Sequence, residues 1–142
     1  MDQDSRRTLK PLGRLTKRAE FQRVSRGRRK STQAFALQSA RREPTEAEPK
    51  GARVGLTVTR KVGNAVVRNR IRRRLKEALR AAGPLEARED HDYVLMARRE
   101  ALSRSFVALV GDLRDAFRAA ATDESRRRQS SPTTAKDRDR RR

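Results

Sequence analysis

Hydrophobic positions recur along the chain with two different periods. In "QAFALQSAR", from Gln33 to Arg41, Phe35, Leu37 and Ser39 alternate with Ala34, Ala36 and Gln38. In "RVGLTVT", Val54, Leu56 and Val58 alternate with Gly55, Thr57 and Thr59. A period of two puts successive side chains on opposite faces, so both segments are predicted strands. They are expected to pair antiparallel across "REPTEAEPKG", a loop from Arg42 to Gly51 that holds two prolines. "DYVLMAR", Asp92 to Arg98, is a third strand, and a short extra one is placed around Arg29 to Thr32.

Three other segments repeat at helical spacing. "LTKRAEFQRVSRG" sets Phe21 and Val24 three apart, with Thr16 as the expected N-cap and Gly27 as the stop. "RKVGNAVVRNRIRRRLKEALRAAG" places Val67, Ile71, Leu75, Ala78 and Ala82 on one stripe. Asn64 caps its start and Gly83-Pro84 ends it. "SRSFVALVGDLRDAFRAAA" puts Phe106, Leu109, Val110, Leu113 and Phe117 on its inner side, capped by Ser103 or Ser105. The resulting order is α, β, β, α, β, α. The economical architecture is an α+β domain, a small sheet with helices packed on it.

Residues 1–13 lack periodicity and are expected to be a flexible tail. Residues 122–142 are polar and Arg-rich, bury too little apolar surface to offset their ordering entropy, and are expected to be a disordered basic tail. The folded domain is assigned to residues 14–121.

Charge narrows the function. Arg and Lys number 38 against 18 acids, a net charge of +20. A compact domain with that excess repels itself unless a polyanion covers it. Membrane surfaces are the weaker candidate: no apolar run has spanning length, and aromatic anchors are few at 4%. Cysteine is absent, which removes disulfides, thiolate metal sites and thiol catalysis and fits a reducing, cytoplasmic setting. His91, the one histidine, stands in "REDHDY" without patterned partners and is read as a solvated loop residue.

The second helix carries most of the argument. Opposite its apolar stripe, Asn69, Arg73, Lys76 and Arg80 form an outward row. Arg70 and Arg74 fall on one flank, Arg68 and Arg72 on the other. Like charges four apart destabilise an isolated helix by about 0.2–0.5 kcal/mol per pair, and only Arg73–Glu77 offsets them. Solvated faces usually interleave signs, whereas this one does not. A nucleic acid is therefore the expected partner, with arginine forks suited to phosphate. Composition leaves DNA and RNA both open, although no helix-turn-helix, zinc or zipper pattern is present.

"RKVGNAVVRNRIRRRLKEALR" resembles the signature of the bacterial ribonuclease P protein subunit, whose hallmark is an Arg-Asn-Arg tripeptide in a basic helix, here Arg68-Asn69-Arg70. "RLTKRAEFQRV", "RVGLTVTRKVGNA" and "DYVLMAR" resemble further family segments in the same order. The resemblance implies an αβββαβα fold of the ribosomal protein S5 domain 2-like type, with a left-handed βαβ crossover entered by Thr59 to Gly63. It implies removal of the 5′ leader from precursor transfer RNA. In that activity the RNA subunit is the catalyst, and Mg²⁺ is held mainly by RNA and substrate. The expected partners are the catalytic RNA and precursor transfer RNA, with no membrane and no protein partner required.

Residue by residue, the resemblance assigns Arg60, Lys61, Asn64, Arg68, Asn69, Arg70, Arg72, Arg73, Lys76 and Arg80 to the catalytic RNA. Arg68 or Arg70 is alternatively read as bonding crossover carbonyls. A second surface, a cleft between the first helix and the sheet, is assigned to the single-stranded leader through Lys17, Phe21, Arg23, Val24, Ala36 and Gln38. Phe21 is read either as a base-stacking platform or as core. Ser25 and Gln38 stand where many family members have aromatics, which weakens expected leader stacking. The competing functional reading is an RNA-binding ribosomal or assembly protein with no role in cleavage, and a DNA-binding protein is the other alternative.

Overall fold

The computed structural model describes residues 12–43 and 51–141, with side chains up to Asp123. Strands β1 (Gly13–Arg14), β2 (Arg28–Ser31), β3 (Phe35–Arg41), β4 (Arg53–Thr57) and β5 (His91–Ala97) form one mixed sheet in the order β1-β4-β5-β3-β2. Helices are α1 (Arg18–Ser25), α2 (Ala65–Ala81), the short α3 (Glu100–Ser103) and α4 (Phe106–Arg141). Setting aside β1 and α3, the order is αβββαβα.

The strand pairing differs from the sequence expectation. β3 and β4 do not pair; β5 lies between them, antiparallel to β3 and parallel to β4. The most apolar strand takes the centre, where both faces are covered: "HDYVLMA" is buried at every position except Met96. The parallel β4–β5 pair needs a crossover, and the 3₁₀ turn Arg60–Val62 with α2 supplies it.

Alternation along β5 divides the core in two. Tyr93, Leu95 and Ala97 face α2 and α4, joining Phe35, Leu37, Ile71, Leu75, Leu109, Leu113 and Phe117. Val94 faces the other way, toward Leu15 and Val24, with Phe21 packed alongside. The sheet therefore carries α2 and α4 on one face and α1 on the other.

Several local expectations are revised. α1 is capped by Lys17 rather than Thr16, and the Glu20 carboxylate reaches back to accept from the Thr16 and Lys17 amides. The folded part begins before the expected residue 14: Gly13 and Arg14 pair with Arg53 and Val54, whereas residues 1–11 lie outside the described part. Of the loop between β3 and β4, residues 44–50 also lie outside it. Ser105 caps α4 by accepting from the Ala108 amide, which leaves Phe106 in the first turn and 38% exposed instead of buried. The α4 backbone continues as helix to Arg141, through the segment whose composition predicts disorder. His91 is 3% exposed at the start of β5, beside the Asp90 carboxylate and stacked with Tyr93, because β5 begins one residue before the expected start at Asp92.

Candidate nucleic-acid interface

α2 lies down on Ile71, Leu75, Ala78 and, just past its end, Ala82, with Val67 half-buried at its first turn. Its cap is Asn64, whose side-chain oxygen accepts from the Val67 amide at 3.0 Å. The row opposite the stripe, Asn69, Arg73, Lys76 and Arg80, is exposed, as is Arg70. Among the described residues no carboxylate pairs with Arg70, Arg73, Lys76 or Arg80, and the expected Arg73–Glu77 pair does not form.

The remaining arginines of this helix are structural as well as cationic. Arg68 Nε donates to the Gly63 carbonyl at 3.2 Å, and Arg99, from beyond β5, donates to the Val62 carbonyl at 2.8 Å. Together they pin the turn that carries the exposed Arg60 and Lys61 into α2. Arg74 binds the carbonyls of Ala101 and Arg104, tying α2 to α3. Arg72 donates to Asn69 Oδ1 at 3.1 Å, so these two order each other at the surface.

On the opposite face, α1 sits close to the sheet. Gly27 and Gly55 permit this approach. A Cβ at Gly27 would lie 2.1 Å from the Ser39 carbonyl oxygen, and one at Gly55 would lie 2.6 Å from the Phe21 ring. Between α1 and the strands is a buried ion network centred on Asp92, which has no exposed surface. Arg53 grips the Asp92 carboxylate with two nitrogens, at 2.8 and 2.7 Å. Arg42 donates to it at 2.6 Å and to the carbonyls of His91, Gly51 and Glu89. Arg23, from α1, adds a third guanidinium. Arg53 also pairs with Glu20 of α1 at 3.0 Å.

Burial alone would raise the Asp92 carboxyl pKa. The hydrogen bonds and charges of Arg53 and Arg42 outweigh burial and hold it below the ordinary range. Glu20 behaves likewise: burial pushes it up, while the Lys17 and Thr16 amides and the Arg53 charge bring it down further.

Among the described residues no three His, Cys, Asp or Glu gather to hold an ion, and the buried Asp92 carboxylate is occupied by guanidiniums. No helix among the described residues is long and apolar enough to cross a membrane.

The sequence profile of the family described as Ribonuclease P matches residues 9–121. The chain belongs to the ribonuclease P protein family. It is 51% identical over 108 residues to the ribonuclease P protein component of Gluconacetobacter diazotrophicus, covering 75% of this chain and 90% of the relative. It is 41% identical over 125 residues to that of Paramagnetospirillum magneticum, covering 87% and 94%. Among solved structures, the Staphylococcus aureus RNase P protein superposes with a TM-score of 0.59 at 25% identity, over 78% of this chain and 96% of the other.

As a ribonuclease P protein, the chain carries the residues assigned to catalytic RNA on the outward row and both flanks of α2 and on its entry turn. The residues assigned to the leader are more dispersed. Lys17 is exposed and Phe21 is half-buried over Gly55. Arg23 is committed to Asp92 and to the Arg41 carbonyl. Val24 and Ala36 have no exposed surface and Gln38 has 5%, so these three are interior and do not line an open cleft. The reason is the tight seating of α1, which no spacing in the sequence specified. Sequence reasoning also missed Glu20, Arg42, Arg53 and Asp92. One signal was present: Asp92 is in phase with Val94 on β5, and a charged residue on a buried face requires partners.

Proposed function

We propose that the chain is the protein subunit of a ribonuclease P ribonucleoprotein. It binds the catalytic RNA through α2 and the 5′ leader of precursor transfer RNA along α1, at Lys17 and Phe21. It thereby assists Mg²⁺-dependent hydrolysis that leaves the mature 5′ end. The observation that carries this reading is the exposed cationic row of α2, unpaired by acids among the described residues, in a chain of this family.

The chemistry follows from what the side chains offer. Arg70, Arg73 and Arg80 present planar forks and Lys76 a point charge, groups that take phosphate oxygens without reading base sequence. Folded RNA, recognised by backbone shape, suits such a face. The reaction is assigned to the RNA, as the family resemblance implies. Mg²⁺ belongs with RNA and substrate phosphates. The protein's share is binding and orientation: it adds positive potential beside a crowded polyanion, which reduces the cost of docking a second one.

Reconstitution tests this. The chain, a bacterial catalytic RNA and a precursor transfer RNA are combined at low Mg²⁺ and fixed salt. Cleavage at the mature 5′ end should exceed that of RNA alone. RNA binding without any gain in cleavage would reduce the chain to a binding module and reject the proposal.

A further inference from the structure

We propose that Glu20 and Asp92 are positioning residues for the precursor: through Arg53 and Arg23 they clasp α1 to the sheet and fix where Lys17 and Phe21 meet a single-stranded leader. The inference rests on the functional reading above.

Two carboxylates beside a polyanion site work against binding if charge is all that matters. Here both are spent on guanidiniums. Asp92 stands on central strand β5 and gathers Arg23 from α1, Arg53 from β4 and Arg42 from the end of β3. Glu20 does two jobs. One carboxylate oxygen closes the first turn of α1 by accepting from Thr16 at 3.2 Å and Lys17 at 3.1 Å. The other accepts from Arg53 at 3.0 Å. The chain Glu20–Arg53–Asp92–Arg23 therefore leaves α1 at its first turn, crosses the sheet surface, and returns to α1 near its last turn. The apolar contact under this helix is small, with Leu15, Val24 and Val94 as its buried members. Such a patch resists lifting but constrains sliding weakly, because apolar attraction has no direction. Charge-assisted guanidinium–carboxylate hydrogen bonds are directional, and those of Arg53 with Glu20 and of Arg23 with Asp92 fix both ends of the helix against the strands. Lys17 and Phe21 ride on that helix, so their placement depends on the clasp. α2 lies on the opposite face of the sheet and does not.

The test turns on a sign. Glu20→Gln removes a negative charge from the leader side, while its amide oxygen still accepts from the α1 amides. Charge alone predicts tighter binding of precursor. The clasp predicts weaker binding, by about tenfold, which is about 1.4 kcal/mol. Affinity is measured on the full chain assembled with catalytic RNA, against precursor carrying a leader and against mature transfer RNA. Binding of the chain to catalytic RNA is measured in parallel.

Loss confined to the leader-bearing precursor supports the clasp. Unchanged or tighter precursor binding overturns it, as does an equal loss for all three RNAs, which would mark a merely structural role. Wild-type assembly that fails to prefer precursor overturns the functional reading and the clasp together, whereas wild-type preference that survives Glu20→Gln overturns the clasp alone. Asp92→Asn should shift affinities in the same selective pattern. If that variant does not fold, Glu20→Gln decides the matter.

Discussion

Asp92 is a carboxylate with no exposed surface, held by three guanidiniums, and its ionisation is part of the folded structure. Its pKa and that of Glu20 lie lower in the folded chain than in the unfolded one. The folded state thus binds fewer protons, and stability rises with pH through that window. The contribution is fully present above the unfolded carboxylate range, about pH 4, and is lost as pH falls through the folded values. Urea unfolding followed by circular dichroism should give stability that is level near neutrality and declines below about pH 4. Asp92→Asn should cost about 3–5 kcal/mol at pH 7, because it strands buried guanidiniums. Its acid limb should also be shallower than that of the wild type.

At the scale of elements, α2 and α1 were legible to different degrees. The stripe Ile71, Leu75, Ala78 and the outward row Asn69, Arg73, Lys76, Arg80 follow from helical geometry alone, and the structure keeps them on opposite sides. α1 was legible as a helix, but its height above the sheet was not. That height depends on Gly55, on β4, admitting the Phe21 ring, and on Gly27, just past the end of α1, admitting the β3 backbone to close approach. Pairing of β3 with β5 instead of β4 was also illegible, since alternation marks a strand without naming its neighbour. Two predictions belong here. Arg73→Ala should weaken binding to catalytic RNA and reduce the slope of log affinity against log salt by about 0.7–0.9, the share of one phosphate contact. Gly55→Ala should push the Phe21 ring off the sheet. Amide hydrogen exchange should then quicken in residues 18–25 and stay unchanged in residues 65–81.

For the whole molecule, the sheet separates two functions. One face carries α2, whose exposed row has no acidic partner among the described residues, and the other carries α1 on its buried ion network. Part of the net charge of +20 faces outward on α2, as a strip over an apolar seam. The family assignment and a small mixed sheet were readable from "RKVGNAVVRNRIRRRLKEALR" and the segments around it, because that block joins a capped turn, a crossover and a cationic row, whereas the fifth strand, Gly13–Arg14, was not. The buried charges under α1 were not readable, because each partner lies on a different element and tens of residues away in sequence.

The absence of cysteine permits a direct measurement of where RNA lies. Lys76→Cys and, on the opposite side of the sheet, Arg18→Cys each provide a single attachment point for an iron chelate that releases hydroxyl radicals. In complex with catalytic RNA alone, the probe at position 76 should cut a localised set of RNA positions, and the probe at position 18 should leave that set intact. A stable complex in which the probe at position 76 cuts no RNA would contradict the assignment of α2 to the catalytic RNA.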